Sequence, residues 1–271
     1  MDVPGFALIT GAASGIGKAC AKAFAMEGAA GVALLDISEE ALLAAKTEIS
    51  ADMAARRAEG QCPLLTCTVD VTDEEQVNRV VQEVARTFGR LDYVVNAAGV
   101  TFRHDNGAAF ADTNDWNRVM SVNVDGSFFV LRAAAQTMLK QEPILSSVDG
   151  RPLQRGSIVN LASMLGLVAI PRYTAYTASK HAIVGLTQSA SLDYAKDGLR
   201  INAMCPGYTD TPMTTSPDVQ KAVEDTVRTL VPMSRLGQPK EIADGVLFLA
   251  GGRSSFITGT TLLADGGCTA H

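Results

Sequence analysis

The sequence predicts an α/β protein, a single doubly wound domain whose seven-stranded parallel sheet is flanked by helices. Short apolar runs typical of buried strands alternate along the chain with segments whose apolar residues recur at helical spacing. Strands joined through helices run parallel, and right-handed crossovers place those helices on both faces of the sheet. Seven strands and six helices use most of the 271 residues, so we expect one domain spanning 1–271.

The elements follow in order along the chain. The predicted strands are Phe6–Thr10, Val32–Asp36, Leu64–Val69, Tyr93–Asn96, Ser157–Leu161, Arg200–Met204 and Thr260–Leu263. The predicted helices are Gly15–Glu27, Glu39–Ala58, Asp73–Phe88, Asn114–Lys140, Ala175–Asp197 and Lys240–Ala250. Two segments break the alternation. Gln141–Arg155, which is polar with two prolines, is expected to be a surface excursion, and Gly207–Gln238 is expected to be a variable substrate loop that acts as a lid.

Composition excludes several classes of protein. An apolar fraction of 47% excludes a disordered chain, and a net charge of -6 argues against a nucleic-acid partner. No apolar run is long enough to span a bilayer, and no basic, apolar leader precedes the first strand. Five scattered cysteines are typical of reduced, buried thiols, so we expect a cytoplasmic protein without a membrane partner. The three histidines have no ligand spacing, and we expect no metal.

A glycine-rich turn lies between the first strand and the first helix. Gly11, Gly15 and Gly17 have the spacing G-x-x-x-G-x-G, in which glycine permits a tight turn, close approach of a pyrophosphate and close packing of helix on strand. Free N–H groups at a helix start attract phosphate. The triplet by itself is equally typical of an ordinary strand-to-helix turn. Its position in an alternating chain favours a dinucleotide site.

Asp36 closes the second predicted strand, 19 residues after Gly17. An acidic residue there accepts hydrogen bonds from the ribose hydroxyls of NAD and repels the 2′-phosphate of NADP. Ser14, in the loop, carries no charge that would attract that phosphate. The alternative is that Asp36 caps the next helix, a role for which Ser38 is better placed. The sequence therefore favours NAD over NADP.

Tyr176 and Lys180 lie four residues apart in a predicted helix and so share one face. An ammonium beside a phenol favours the phenolate, so we expect a lowered pKa for Tyr176 and an acid–base group usable near neutral pH. The alternative is an ordinary amphipathic helix, and the spacing alone does not decide between the two.

The motifs taken together resemble the short-chain dehydrogenase/reductase family, from about Gly5 to Gly267. The glycine turn and the Tyr176-x-x-x-Lys180 pair are accompanied, in the order of that family, by further matching residues. These are Asp70-Val71, Asn96-Ala-Ala-Gly99, Asn123, Ser163, Pro206-Gly207 and Asp265-Gly-Gly267. Several motifs also resemble members of the family from the secondary metabolism of filamentous fungi. The family more often has a second Asn at the position of Ala97.

The resemblance implies a role for each matching residue. Tyr176 would be the catalytic acid–base, Lys180 would lower its pKa and hold the nicotinamide ribose, Ser163 would bind the substrate oxygen, and Asn123 would hold a water that links Lys180 to solvent. The implied cofactor contacts are Gly11, Ser14, Gly15, Ile16, Gly17, Asp36, Asp70, Val71, Asn96, Gly99, Tyr176, Lys180, Pro206, Gly207, Thr209 and Thr211.

The sequence thus predicts an NAD(H)-dependent oxidoreductase that interconverts a secondary alcohol and a ketone on a bulky apolar small molecule, such as a terpenoid, steroid-like or polyketide compound. A reductase that uses NADP and a non-catalytic dinucleotide-binding protein remain the alternatives. The resemblance implies a homotetramer or homodimer built by the helices Asn114–Lys140 and Ala175–Asp197. Their small residues Ala133, Ala134, Ala135, Ala182 and Ala190 would let such helices approach closely. The alternative is that these alanines pack only against the sheet. Arg103 and His104, in the loop after the Asn96 motif, are expected to form a solvated loop pair, and a substrate contact is the alternative.

Overall fold

The computed structural model describes residues 1–55, 62–215 and 220–270. Seven strands form one parallel sheet in the order β3-β2-β1-β4-β5-β6-β7. They are β1 (Phe6–Thr10), β2 (Gly31–Asp36), β3 (Leu64–Thr68), β4 (Tyr93–Asn96), β5 (Gly156–Leu161), β6 (Leu199–Pro206) and β7 (Thr261–Ala264). The strand order reverses between β1 and β4, and ligands of such sheets bind at the carboxyl ends beside that point. The predicted fold class is confirmed.

Helices cover both faces of the sheet. They are α1 (Gly15–Met26), α2 (Glu39–Ala55), α3 (Glu74–Phe88), α4 (Thr113–Met120), α5 (Gly126–Met138), α6 (Thr174–Tyr194), α7 (Pro212–Thr215), α8 (Gln220–Leu230) and α9 (Pro239–Ala250). The α1, α2 and α9 helices bury their apolar residues against one face, and α3 and α5 do so against the other. Among the described residues, no helix is long and apolar enough to cross a membrane.

The predicted helix Asn114–Lys140 is not one regular α-helix. A π-helical turn over Ser121–Asp125 separates α4 from α5. Gly126 directly follows this turn and packs against Val71, three residues beyond the end of β3. A Cβ on Gly126 would be 2.8 Å from a methyl carbon of Val71. A π turn inserts extra backbone and so changes which side chains face inward, and such turns are frequent at functional sites. Here Asn123, in this turn, is fully buried.

The end of another predicted helix also differs from the sequence prediction. The last turn of the predicted helix Ala175–Asp197 is a 3₁₀ turn over Ala195–Asp197, which ends at Gly198 with a left-handed φ of 81°. Residues 56–58 of the predicted second helix lie outside the described residues.

The two irregular segments are more structured than the sequence predicts. Within Gln141–Arg155, an antiparallel bridge joins Leu145 to Pro152. Gly207–Gln238 contains α7 and α8, and its two ends are joined by a parallel bridge between Thr209 and Gly237. The bridge consists of hydrogen bonds from the Asp210 N–H to the Gly237 carbonyl (2.8 Å) and from the Gly237 N–H to the Tyr208 carbonyl (2.9 Å). Backbone bonds therefore close the neck of this segment.

Candidate active site

The glycine turn has the shape that a phosphate cradle requires. Gly11 and Gly15 adopt φ angles of 64° and 50°, in the left-handed region where only glycine is free of strain. A Cβ on Gly17 would lie 2.1 Å from the Gly11 carbonyl oxygen, so a side chain would push α1 away from β1. Ser14 precedes α1, and its side chain caps no N–H of the helix. The start of α1 thus offers N–H groups to an anion, and the residues present fit a bound pyrophosphate.

Asp36 lies beside this turn at the end of β2. One carboxylate oxygen accepts the Ala13 N–H (3.2 Å) and the other accepts the Ser38 N–H (3.3 Å). Ser38 itself accepts the N–H of Ala41 at the start of α2, so the capping role falls to Ser38, as predicted. Each Asp36 oxygen keeps acceptor capacity for a further donor. The carboxylate is therefore fixed next to the phosphate cradle in a position that suits ribose hydroxyls.

The α6 helix brings Tyr176 and Lys180 together. The Lys180 Nζ lies 5.5 Å from the centre of the Tyr176 ring and donates a hydrogen bond to the Leu161 carbonyl at the end of β5 (2.7 Å). Ser163 follows two residues after β5, and its hydroxyl accepts the Leu165 N–H (3.1 Å) and lies close enough to the phenol of Tyr176 to lower its pKa. Thus α6 and the carboxyl end of β5 together place a hydroxyl, a phenol and an amine in one cluster.

Asn123 completes the cluster from the π turn. Its Oδ1 accepts the Val100 N–H (2.8 Å), and its Nδ2 donates to the Val100 carbonyl and to the Ser179 hydroxyl (3.0 Å each). A Cβ on Gly99 would lie 3.3 Å from Asn123 Oδ1 and 3.7 Å from Lys180 Nζ. The glycine therefore allows the loop after β4 to pack closely against both side chains.

Burial controls the ionisation of this cluster. It raises the pKa of Tyr176 to about 12, although the hydrogen bond with Ser163 opposes the change, and it lowers the pKa of Lys180 to about 8. The expected lowering of the Tyr176 pKa is wrong for the protein chain by itself, because the loss of hydration outweighs the stabilisation of the phenolate. The same burial makes Lys180 able to give up its proton close to neutral pH.

The remaining predicted cofactor residues fall into two groups. Asp70, beyond β3, accepts the N–H (2.9 Å) and hydroxyl (2.8 Å) of Thr72, and Val71 packs on Gly126. Asn96 is buried inside the sheet, where its Nδ2 donates to Asn160 Oδ1 (2.9 Å), so it supports the strands. The backbone N–H groups of Ala97 and Ala98 both donate to the Thr10 hydroxyl at 3.1 Å. The backbone N–H of Ala97 is therefore paired although this chain has Ala where the family more often has Asn.

The other group faces the glycine turn from β6. Pro206 ends that strand, and Gly207 packs against Asp265, where a Cβ would lie 2.6 Å from the Asp265 Cα. The buried Thr209 donates to the Gly207 carbonyl (3.1 Å). A Cβ on Gly15 would lie 3.4 Å from Thr211 Cγ2, so Thr211 and the first cradle residues are in contact range. Ile16, at the start of α1, packs on the apolar core.

Two expectations about nearby residues are wrong. His104 is only 6% exposed, because its N–H bonds to the Arg172 carbonyl (2.8 Å) and draws the loop onto the segment before α6. Ala133, Ala134, Ala135 and Ala190 are buried in the core of the single chain, and Ala182 is partly buried, so they do not form an outer helix face. Met164 and Leu165 are buried, whereas Leu167 and Val168 are exposed.

Sequence reasoning missed the position of Cys205. The thiol is buried, and it lies within electrostatic range of both Tyr176 and Lys180. Its place directly before Pro206, at the carboxyl end of β6, was the available signal. Cys62, Cys67 and Cys268 are partly exposed, contrary to the expected burial, and all five cysteines are free. Among the described residues, no group of His, Cys, Asp or Glu is arranged to hold a metal.

Comparisons with known proteins agree with this geometry. The family described as "Enoyl-(Acyl carrier protein) reductase" matches residues 11–269. The chain is 40% identical to the short-chain dehydrogenase fogB of Aspergillus ruber, over 99% of this chain and 98% of that protein. It is also 40% identical to the short-chain dehydrogenase anuF of Penicillium roqueforti, over 99% and 97%. A crystal structure of levodione reductase superposes with a TM-score of 0.85 at 32% identity, covering 100% of this chain and 99% of that one.

The fold and the cluster define a Rossmann-type oxidoreductase that binds a nicotinamide dinucleotide. The chain belongs to the short-chain dehydrogenase/reductase family, and its similarity to fungal members confirms that part of the sequence resemblance.

The buried amine of Lys180 gives a testable dependence of stability on pH. Its pKa is about 8 in the folded chain and ordinarily 10.5, so between these values the unfolded state binds more protons. The free energy of unfolding of the unmutated protein should therefore rise from pH 8 towards pH 10, relative to Lys180→Met, by about 2 kcal/mol. Urea unfolding of both proteins at several pH values measures the difference.

Lys196→Met, which removes an exposed lysine, is the matched control and should run parallel to the unmutated protein. Parallel curves for the unmutated protein and Lys180→Met would contradict the prediction.

Proposed function

We propose that the protein is an NAD(H)-dependent oxidoreductase that interconverts a secondary alcohol and a ketone on a bulky apolar molecule. The observation that carries the proposal is the convergence of Ser163, Tyr176, Lys180 and Asn123 at the carboxyl ends of β4 and β5. A phenol next to a hydroxyl and a buried amine suits proton transfer to and from a substrate oxygen.

Different residues of the chain would bind the cofactor and transfer the proton. Gly11, Gly15 and Gly17 would hold the pyrophosphate, and Lys180 and Thr211 would hold the nicotinamide half. The bound dinucleotide supplies the hydride chemistry. Tyr176 would take the proton of the alcohol during oxidation and return it during reduction, while Ser163 positions the oxygen.

The cluster also favours this proton transfer electrostatically. Burial keeps the phenol of Tyr176 protonated in the chain by itself, which suits a proton donor, and the adjacent amine of Lys180 would stabilise the phenolate when it forms. Asn123 would hold the loop after β4 against α6, the helix that carries Lys180, because its side chain binds both Val100 and Ser179.

An apolar substrate is supported by the residues around the site. Leu167 and Val168, after the catalytic serine, and Met213 and Met233, in the segment after β6, leave apolar side chains exposed. Levodione reductase, whose name states that it reduces a dione, has the same fold and 32% identity. A terpenoid, steroid-like or polyketide alcohol fits such a surface better than a sugar, which needs several fixed polar groups.

Gly207–Gln238 would act as the lid of this pocket. The bridge between Thr209 and Gly237 closes its neck, so its first end, after β6, lies beside its last end, before α9. Closure would exclude water from the reacting atoms. The five free cysteines support the proposal of a cytoplasmic enzyme, since reduced thiols are typical of that compartment.

Activity assays test the proposed chemistry. The unmutated protein should oxidise cyclic secondary alcohols with NAD, detected by absorbance of the reduced nicotinamide, and rates should increase with the apolar bulk of the alcohol. Tyr176→Phe should lower kcat by about a hundredfold or more, because it removes the group that transfers the proton. NAD binding without turnover of any alcohol or ketone would instead indicate a non-catalytic dinucleotide-binding protein.

The choice between the two nicotinamide cofactors rests on Asp36. Since its carboxylate lies fixed beside the glycine turn, a 2′-phosphate there meets a like charge. We expect kcat/KM with NAD to exceed that with NADP by at least about tenfold. Asp36→Ala should reduce this preference, whereas Asp70→Ala, which removes a carboxylate from the next strand end, should leave it. Equal rates of the unmutated protein with both cofactors would contradict the assignment.

A homotetramer, or a homodimer, would form through the outward faces of α5 and α6. Phe128 on α5 and Leu192 on α6 are 39% and 82% exposed, and no described atom lies within 4 Å of a Cβ built on Gly185. We therefore expect Leu192→Glu to dissociate the assembly in light scattering at micromolar concentration. Leu43→Glu, which changes an exposed leucine on α2, should leave it intact. A monomeric unmutated protein would exclude both assemblies.

A further inference from the structure

A tight turn follows β7 near the end of the chain. The Asp265 carboxylate accepts the N–H groups of Gly267 (3.0 Å) and Thr269 (2.9 Å) and the Thr269 hydroxyl (2.6 Å). Gly266 and Gly267 adopt φ angles of 64° and 86°, in the left-handed region. Three bonds to one carboxylate and two left-handed glycines give this turn, Asp265–Thr269, a defined shape.

The turn contacts the end of the proposed lid. The strip Val231–Met233 lies against it, and the Met233 N–H donates to the Gly266 carbonyl (3.2 Å). A Cβ on Gly266 would lie 2.8 Å from Val231 Cγ1, and one on Gly267 would lie 3.1 Å from Pro232 Cγ. The first distance is shorter than real Cβ atoms show, and the second is tighter than most real Cβ contacts. The strip lies this close to the turn because both glycines lack side chains.

The same turn borders the catalytic side of the sheet. Gly207 packs against Asp265 and donates its N–H to the Ala264 carbonyl (3.0 Å). Gly207 is two residues after Cys205, which lies within electrostatic range of Lys180 and Tyr176. The turn thus contacts the end of the strand that leads to the catalytic cluster on one side, and the strip on the other.

The strip has the composition of an apolar wall. Val231 is only 4% exposed because it packs towards the turn, whereas Met233 is 65% exposed. A large exposed methionine on a strip that is fixed on its other side can contact an apolar ligand and adapt to its shape.

We propose that Gly266 and Gly267 are specificity-determining residues, which set the position of Val231–Met233 as the wall that binds the apolar body of the substrate. This inference rests on the proposed function, since it requires a bulky ketone or alcohol in the pocket. A side chain on Gly266 displaces Val231 and breaks the bond between Met233 and the turn. The wall then no longer meets a large substrate, while a small one, which does not reach it, reacts as before.

The experiment compares Gly266→Ala with Gly89→Ala. Gly89 has a similar left-handed φ of 80°, but no described atom lies within 4 Å of its Cβ position, so the control adds the same backbone strain without a steric contact. The probes are 2-decalone, as the bulky ketone, and cyclohexanone, as the small one. In Gly266→Ala, the ratio of kcat/KM for 2-decalone to that for cyclohexanone should fall about tenfold, whereas Gly89→Ala should keep it.

Two further measurements separate displacement of the strip from general damage. The dissociation constant of NADH should be the same in both variants. Amide hydrogen exchange at Met233, measured without substrate, should be faster in Gly266→Ala only, because that N–H loses its acceptor. The double variant Gly266→Ala with Val231→Ala, which makes room for the new methyl group, should restore the substrate ratio.

Each outcome decides a different statement. An equal ratio in Gly266→Ala and Gly89→Ala overturns the specificity role, even if exchange at Met233 accelerates. A fall in the ratio that the double variant does not restore also overturns it, since the effect then does not act through Val231. If the unmutated protein reduces neither ketone with either nicotinamide cofactor, the proposed function fails, and the exchange at Met233 still reports whether the turn holds the strip.

Discussion

The burial of one amine determines how the catalytic end of the molecule is built. Lys180 is 5% exposed, and an isolated ammonium in such a place is strongly disfavoured. Its described hydrogen-bond partner is the Leu161 carbonyl, at the carboxyl end of β5. The position of Lys180 therefore depends on the register of β5, and Tyr176, one helical turn earlier, depends on it in turn.

Glycines allow backbone segments to pack closely around the catalytic end of the molecule. Gly99 allows the loop after β4 to lie against Lys180 and Asn123, and the π turn directs Asn123 inwards to bind that loop. At the other end of the site, Gly17 lets α1 begin directly on the carbonyl of Gly11. In both places a methyl group would separate elements that carry functional groups, so the glycines are part of the site even though they offer no side-chain chemistry.

The sequence predicts most of the fold because each strand is a separate apolar run and each helix has its own apolar period. The spacing of Tyr176 and Lys180 predicts that their side chains share one face of a helix. The π turn is invisible in the sequence, since its residues follow an apolar pattern that an α-helix also satisfies. His104 is buried through a bond to Arg172, 68 residues away, and no local pattern reports such a contact. The raised pKa of Tyr176 likewise depends on burial, which tertiary packing decides.

The alanines of α5 show a further limit of prediction from the sequence. Ala133, Ala134 and Ala135 are consecutive small residues that suit either a helix contact between subunits or close packing on a sheet, and only the position of α5 against the sheet assigns them to the core. The outward face of the helix is decided by the same geometry, which exposes Phe128 and keeps Arg132 within 5.0 Å of that ring. An assembly built on α5 would therefore use aromatic side chains, whose contact area is large, instead of the close backbone approach that alanines permit. The same residue types thus have different roles on two faces of one helix, and the sheet determines which face is which.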